Sequence, residues 1–267
     1  MNRAIYIIFL IVFIVALAVI FIPVALGTES MSDNLPPLVF LIVILLYFAG
    51  NIYFSYRRNK KIISLLNDQC DPDAFIAQTQ RQLDKFQHRG NIPYVLLQRL
   101  NLGAGLSAAG RNQEALAAIQ FDAALIKSDR FGRLMRLTYH QNHFACFISL
   151  GMLDHARQAL LWMNDAIDAE KDSKLLEKLR RWYKNDYFRY EMENGRFDGT
   201  EAVFQEMLER AENNYHRVLA MYTLGLVHEH YGRPDKAREA FEYVAAHGNN
   251  LHVVTLAKQR LATMGAV

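Results

Sequence analysis

Apolar and polar positions divide the chain into two regimes. Two uncharged apolar runs, Ala4–Leu26 and Pro36–Tyr56, come first. The basic cluster Arg57, Arg58, Lys60 and Lys61 follows, and the rest of the chain sets apolar residues among polar ones at helical spacing. A helix over the first run is about 34 Å long and one over the second about 31 Å, each enough to cross a hydrocarbon core of about 30 Å. The link Gly27–Leu35 carries Glu29 and Asp33 but neither Lys nor Arg, whereas Arg3 precedes the first run and four cations follow the second. Because cations favour the cytoplasmic side, this asymmetry predicts a multi-pass protein of the cell membrane with both termini in the cytoplasm. Tyr47, Tyr53 and Tyr56 then lie toward the cytoplasmic headgroup layer. A cleaved signal peptide is the competing reading of the first run, with Ala25 and Gly27 as small residues. The run exceeds the usual signal core of about 7–15 residues, and cleavage would leave the second span's orientation unchanged. The expected organisation is a transmembrane hairpin over residues 1–57, a basic juxtamembrane linker over 58–70 and a cytoplasmic helical domain over 71–267.

Within the polar region a single local pattern recurs. Glycines stand at Gly110, Gly151, Gly195 and Gly232, each closing one helical stretch and opening another. Five residues after each comes a small side chain, Ala115, Ala156, Thr200 or Ala237. Four further on comes a large apolar one, Ile119, Leu160, Phe204 or Phe241. A glycine supplies the left-handed backbone that ends a helix, and the small residue lets the next helix press against the previous one. Asp71-Pro72 reads as a helix N-terminus, with Phe75, Ile76, Leu83 and Phe86 as the stripe of a helix over Asp71–His88. Leu251–Leu261 reads as a last helix. These two cap an array whose ends would otherwise expose apolar faces.

Leu102-Gly103 and Leu224-Gly225 fall seven residues before their turn glycines, and the unit from Met221 to Phe241 carries Leu-Gly, then Tyr231, Gly232, Pro234, Ala237 and Phe241 in order. Residues 92–250 thereby resemble the tetratricopeptide repeat (TPR) family. The resemblance implies an all-α solenoid of about four helical pairs with flanking capping helices, used as a protein-binding scaffold. The pairs are irregular: the turn glycines recur at intervals of 41, 44 and 37 residues, against about 34 in the family. His143-Phe144 and Tyr187-Phe188 replace Leu-Gly in the second and third units.

In this family the first helix of each pair lines the concave surface. Carried onto this chain, that register implies a groove of Gln141 and Ile148, then Trp182, Asn185, Arg189 and Met192, then Tyr222, Leu226, Glu229 and His230. Trp and Arg are the residue types that most often dominate interface energy. Trp182 is equally read as packing between neighbouring pairs. The Lys, Arg and Asn clamp by which some members grip a C-terminal carboxylate is incomplete here, with Leu100 and Ala104, then Gln141 and Ala145, then Asn185 and Arg189 at its places.

Composition narrows the chemistry. The net charge is +3, so no nucleic-acid partner is expected. The basic stretch Lys171–Lys184 reads as a solvated helix face. Two cysteines, Cys70 and Cys146, without a CxxC suit a reducing compartment. Among nine histidines, His228 and His230 point to different sides of a helix, and His140 and His143 lack a third ligand. Gly103–Gly110 fits neither a phosphate loop nor a nucleophile elbow. The chain is therefore expected to be no enzyme, with no metal and no cofactor. Its expected function is a membrane-anchored scaffold that presents a groove to protein partners, with Arg57, Arg58, Lys60 and Lys61 meeting lipid headgroups. The alternative is an accessory subunit of a transporter or membrane enzyme, acting through the hairpin.

Overall fold

The structure, a computed structural model, describes residues 35–126, 129–170 and 173–265. Two compact units divide the chain, Met1–Lys61 and Ile62–Val267. The described residues form eleven α-helices and one short 3-10 turn, with no strand among them. In order the helices are α1 (Leu35–Asn67), α2 (Pro72–His88), α3 (Ile92–Ala108), α4 (Asn112–Ile119), α5 (Arg130–Ser149), α6 (Leu153–Asp168), α7 (Ser173–Glu193), α8 (Thr200–Glu209), α9 (Asn214–His230), α10 (Pro234–His247) and α11 (His252–Met264).

The expectation of a multi-pass membrane protein is corrected. The first apolar run, Ala4–Leu26, lies outside the described residues. The second falls on α1, yet among the described residues no helix is long and apolar enough to cross a membrane. Past Tyr56, α1 continues as helix through the cations, over most of the segment expected as a linker, to Asn67.

From residue 62 onward the helices pair as the turn glycines imply. Gly110, Gly151, Gly195 and Gly232 all have φ between 65° and 80°. They reverse the chain between α3 and α4, α5 and α6, α7 and α8, and α9 and α10. Ala115, Ala156, Thr200 and Ala237 have no exposed surface, and Ile119, Leu160, Phe204 and Phe241 are all buried. The glycine of each Leu-Gly is where that large residue lands: a Cβ on Gly103 would lie 2.4 Å from Ile119 Cγ2, and one on Gly225 2.5 Å from Phe241 Cε1. Phe144 and Phe188 occupy the same register in the second and third pairs, so close helix approach there needs a different solution. The whole is consistent with an α-solenoid.

The two caps do not close opposite ends. Ile62, Leu66, Cys70 and Phe75 share one core with Val218, Phe241, Val244, Leu251 and Val254. Polar contacts run across the same junction. Asn249 Nδ2 donates to the Gln69 carbonyl at 3.0 Å. Asn214 Nδ2 lies 2.8 Å from the His247 carbonyl and 3.3 Å from Cys70 Sγ, and the Asn250 amide donates to the Cys70 carbonyl at 3.3 Å. The apolar faces that a finite array exposes at its start and finish thus cover each other.

Candidate functional site

The third pair is built unequally. Helix α7 has 21 residues and α8 only 10, so α8 ends about 16 Å short of matching its partner. Phe188, where other pairs have Gly103 and Gly225, lies against Gly199, a Cβ on which would meet its ring at 3.2 Å. A cavity of about 390 Å³ opens between the middle of α7 and the C-terminal part of α8. Its α7 wall is Lys178, Arg181, Trp182, Lys184 and Asn185, its α8 wall Val203, Glu206, Met207 and Arg210, and Ala211, Glu212 and His216 close it near the start of α9. Lys178, Arg181, Trp182 and Asn185, like Val203, Glu206, Met207 and Arg210, have i, i+3, i+4, i+7 spacing, which places each set on one face of its helix.

Charged side chains frame an apolar floor. Lys184 Nζ is 3.0 Å from Glu206, whose other oxygen lies 3.6 Å from Arg210 Nε. Lys178 Nζ lies 3.8 Å from Glu212 and 5.1 Å from the centre of the Trp182 ring. Trp182 packs its inner side on the core of the second pair beside Leu137 and Leu179 while bordering the cavity. Burial lowers the His216 pKa from its ordinary value, with Lys178 lowering it further and Glu212 opposing. His216 is therefore neutral at pH 7.

On another side of α7 is a polar centre that sequence reasoning assigned to an open groove. Gln141 Nε2 donates to Asp186 Oδ2 at 3.1 Å. Burial pushes the Asp186 carboxyl up to about 7, against the pull of Arg189 and of the Gln141 hydrogen bond. Arg189 also reaches Ser149 Oγ at 3.5 Å. Tyr215, its pKa raised by burial, lies in the field of Arg189 and Asp186 and packs on the core that joins the two ends.

The groove residues therefore separate. Ile148 and Met192 are corrections: they are 4% and 8% exposed and belong to the cores of the second and third pairs, so no partner reaches them. Gln141 and Arg189 are engaged with Asp186. Tyr222 and Leu226 are partly buried against the cores. Glu229 pairs with Arg260 of α11 at 3.0 Å, and His230 is exposed, stacked on Phe197 at 3.8 Å between centroids. Of the expected groove, only Trp182 and Asn185 line the cavity. No family model matches the chain, nor does any curated protein or solved structure. In the first unit, Arg57, Arg58, Lys60 and Lys61 are exposed on α1, the Arg57 guanidinium 5.8 Å from the Tyr53 ring.

The sequence reading leaves Lys178, Arg181 and Lys184 on a solvated helix face and does not single out Arg210, although the spacing of 178, 181, 182 and 185 links the first two to Trp182. Burial drives His140 down to about 4, and His143 Nδ1 sits 2.9 Å from the Tyr139 carbonyl of its own helix.

Proposed function

We propose that residues 62–267 are a TPR-like array of four irregular helical pairs that acts as a protein-binding scaffold, by docking and not by catalysis. The repeated register of turn glycine, small residue and large apolar residue supports the TPR-like reading. The observation that carries the function is the cavity beside Trp182. An aromatic side chain held on one side by a packed core stands next to a void, ringed by long side chains that can rearrange around a guest. Aromatic anchors in such settings concentrate binding energy, and one commonly contributes about 2 kcal/mol or more. The docking surface thus lies between α7 and α8 and not along the row of first helices. Membrane anchoring does not belong to this proposal.

A photo-crosslinking residue installed at position 182 of the full chain tests it in cells, with the same residue at exposed Arg157 on α6 as the control. A discrete adduct with one protein from position 182, absent from position 157, is the expected result. Identical adduct patterns from both positions, or none from 182, would overturn the proposal.

A further inference from the structure

We infer that the cavity between α7 and α8 receives an acidic peptide segment of a partner protein, laid along the basic face of α7 with one large apolar side chain against Trp182. This rests on the scaffold reading and names the chemistry of the partner.

The charge balance points to an anion. Lys178, Arg181, Lys184 and Arg210 border the cavity against two carboxylates, Glu206 and Glu212; Glu177, 70% exposed, lies 3.1 Å from Arg181, and Arg180 adds a fifth cation beside them. Lys184 and Arg210 share the single Glu206. Glu212 holds Lys178 only at 3.8 Å, with its side chain 72% exposed. An exposed pair of that kind contributes little, so a ligand carboxylate can take its place beside Lys178 at small cost. The apolar floor at Trp182, Val203 and Met207 calls for an apolar group on the same ligand.

The shape of the site points to an extended guest. A second, shallower depression borders the cavity on α7, lined by Leu176, Glu177 and Arg180, and both depressions share Arg181 and Lys184. A compact anion fills one of them, whereas an extended chain places one acidic side chain in each and passes over the shared cations. Glu177, Glu206 and Glu212 interrupt the cations along this track, so acidic side chains spaced by neutral ones fit it better than a continuous phosphate backbone.

The test is fluorescence polarisation with the full chain and a fluorescein-labelled peptide of glutamates flanking a single phenylalanine. The same peptide with glutamine for every glutamate and a labelled oligouridylate are the comparisons. Saturable binding of the acidic peptide is expected, weakening as salt rises toward about 0.15 M. Arg181→Glu with Lys184→Glu should weaken it at least about tenfold, and Trp182→Ala comparably, with helical circular dichroism unchanged in the charge variant. In a Trp162→Phe background the remaining Trp182 fluorescence should shift on binding. Equal binding of the glutamine peptide, tighter binding of the oligouridylate, or no saturable binding would overturn the inference. If crosslinks from position 182 persist in that event, the scaffold stands and only its partner's chemistry is wrong; if they are absent too, both fall.

Discussion

Replacing Asp186 with Asn removes one charge from the centre of the array and leaves the shape of the side chain and its acceptor for Gln141 Nε2 in place. Burial holds the wild-type carboxyl at about 7 in the folded protein, against about 3.9 for an exposed aspartate. The folded state therefore binds this proton more tightly than the unfolded state does. The associated stability is fully present below about pH 4 and is lost as pH rises through about 7. At about 1.4 kcal/mol per pH unit, the whole loss has a ceiling of roughly 4 kcal/mol, of which roughly 2–3 falls between about pH 5 and pH 8. Urea unfolding of both proteins at these two pH values isolates the effect, because every other titrating group is common to them. Asp186→Asn should be the more stable protein at about pH 8, with the gap shrinking by roughly 2–3 kcal/mol at about pH 5. Parallel pH profiles, or a variant less stable at the higher pH, would show that Arg189 keeps Asp186 ionised in the fold.

Three further outcomes follow from the packing. Gly225→Ala should cost roughly 2–3 kcal/mol in urea unfolding, since its Cβ meets the fully buried Phe241 ring at 2.5 Å; Gly232→Ala, in open space at φ 65°, should cost about 1 kcal/mol, and the reverse order would contradict the repeat register. His140, held at about 4 by burial, contributes stability that is present above its ordinary value of about 6.5 and lost as pH falls toward 4; His140→Phe should flatten that acid limb, worth about 2–3 kcal/mol. Asn214→Ala removes the side chain that touches both the His247 carbonyl and Cys70 Sγ; it should cost about 1–2 kcal/mol and speed alkylation of the buried Cys70, and an unchanged alkylation rate would show that the two ends do not depend on this contact.

What was readable in the chain was local. A turn glycine, a small residue five positions on and a large one four beyond that describe a single helix–turn–helix unit, and such units need only neighbouring residues to be specified. What was not readable depends on sums over the array. The meeting of Cys70 and Phe75 with Val218 and Val254 follows from the accumulated rotation of four unequal pairs, so helices read as caps for opposite ends share one core. The groove register fails for the same reason. It assumes equal pairs, but the third pair joins a long α7 to a short α8 with a cavity between them at Trp182, while Ile148 and Met192 turn into cores. Asp186 carried no signal in the sequence, since a charged residue on a polar helix reads as solvent-facing until its neighbours are known. The basic stretch ending at Lys184 was visible, but its opposing wall on α8 was not, and without that wall it read as a plain solvated face.

Hydrogen exchange of the full chain, alone and with the protein recovered by crosslinking from position 182, tests the docking surface most directly. The account predicts slowed exchange on binding in residues 178–185 and 203–212, with the outer face of α6 around Arg157 unchanged. Protection confined to α5 and α9, around Gln141 and Tyr222, would contradict it and return the partner to the row of first helices.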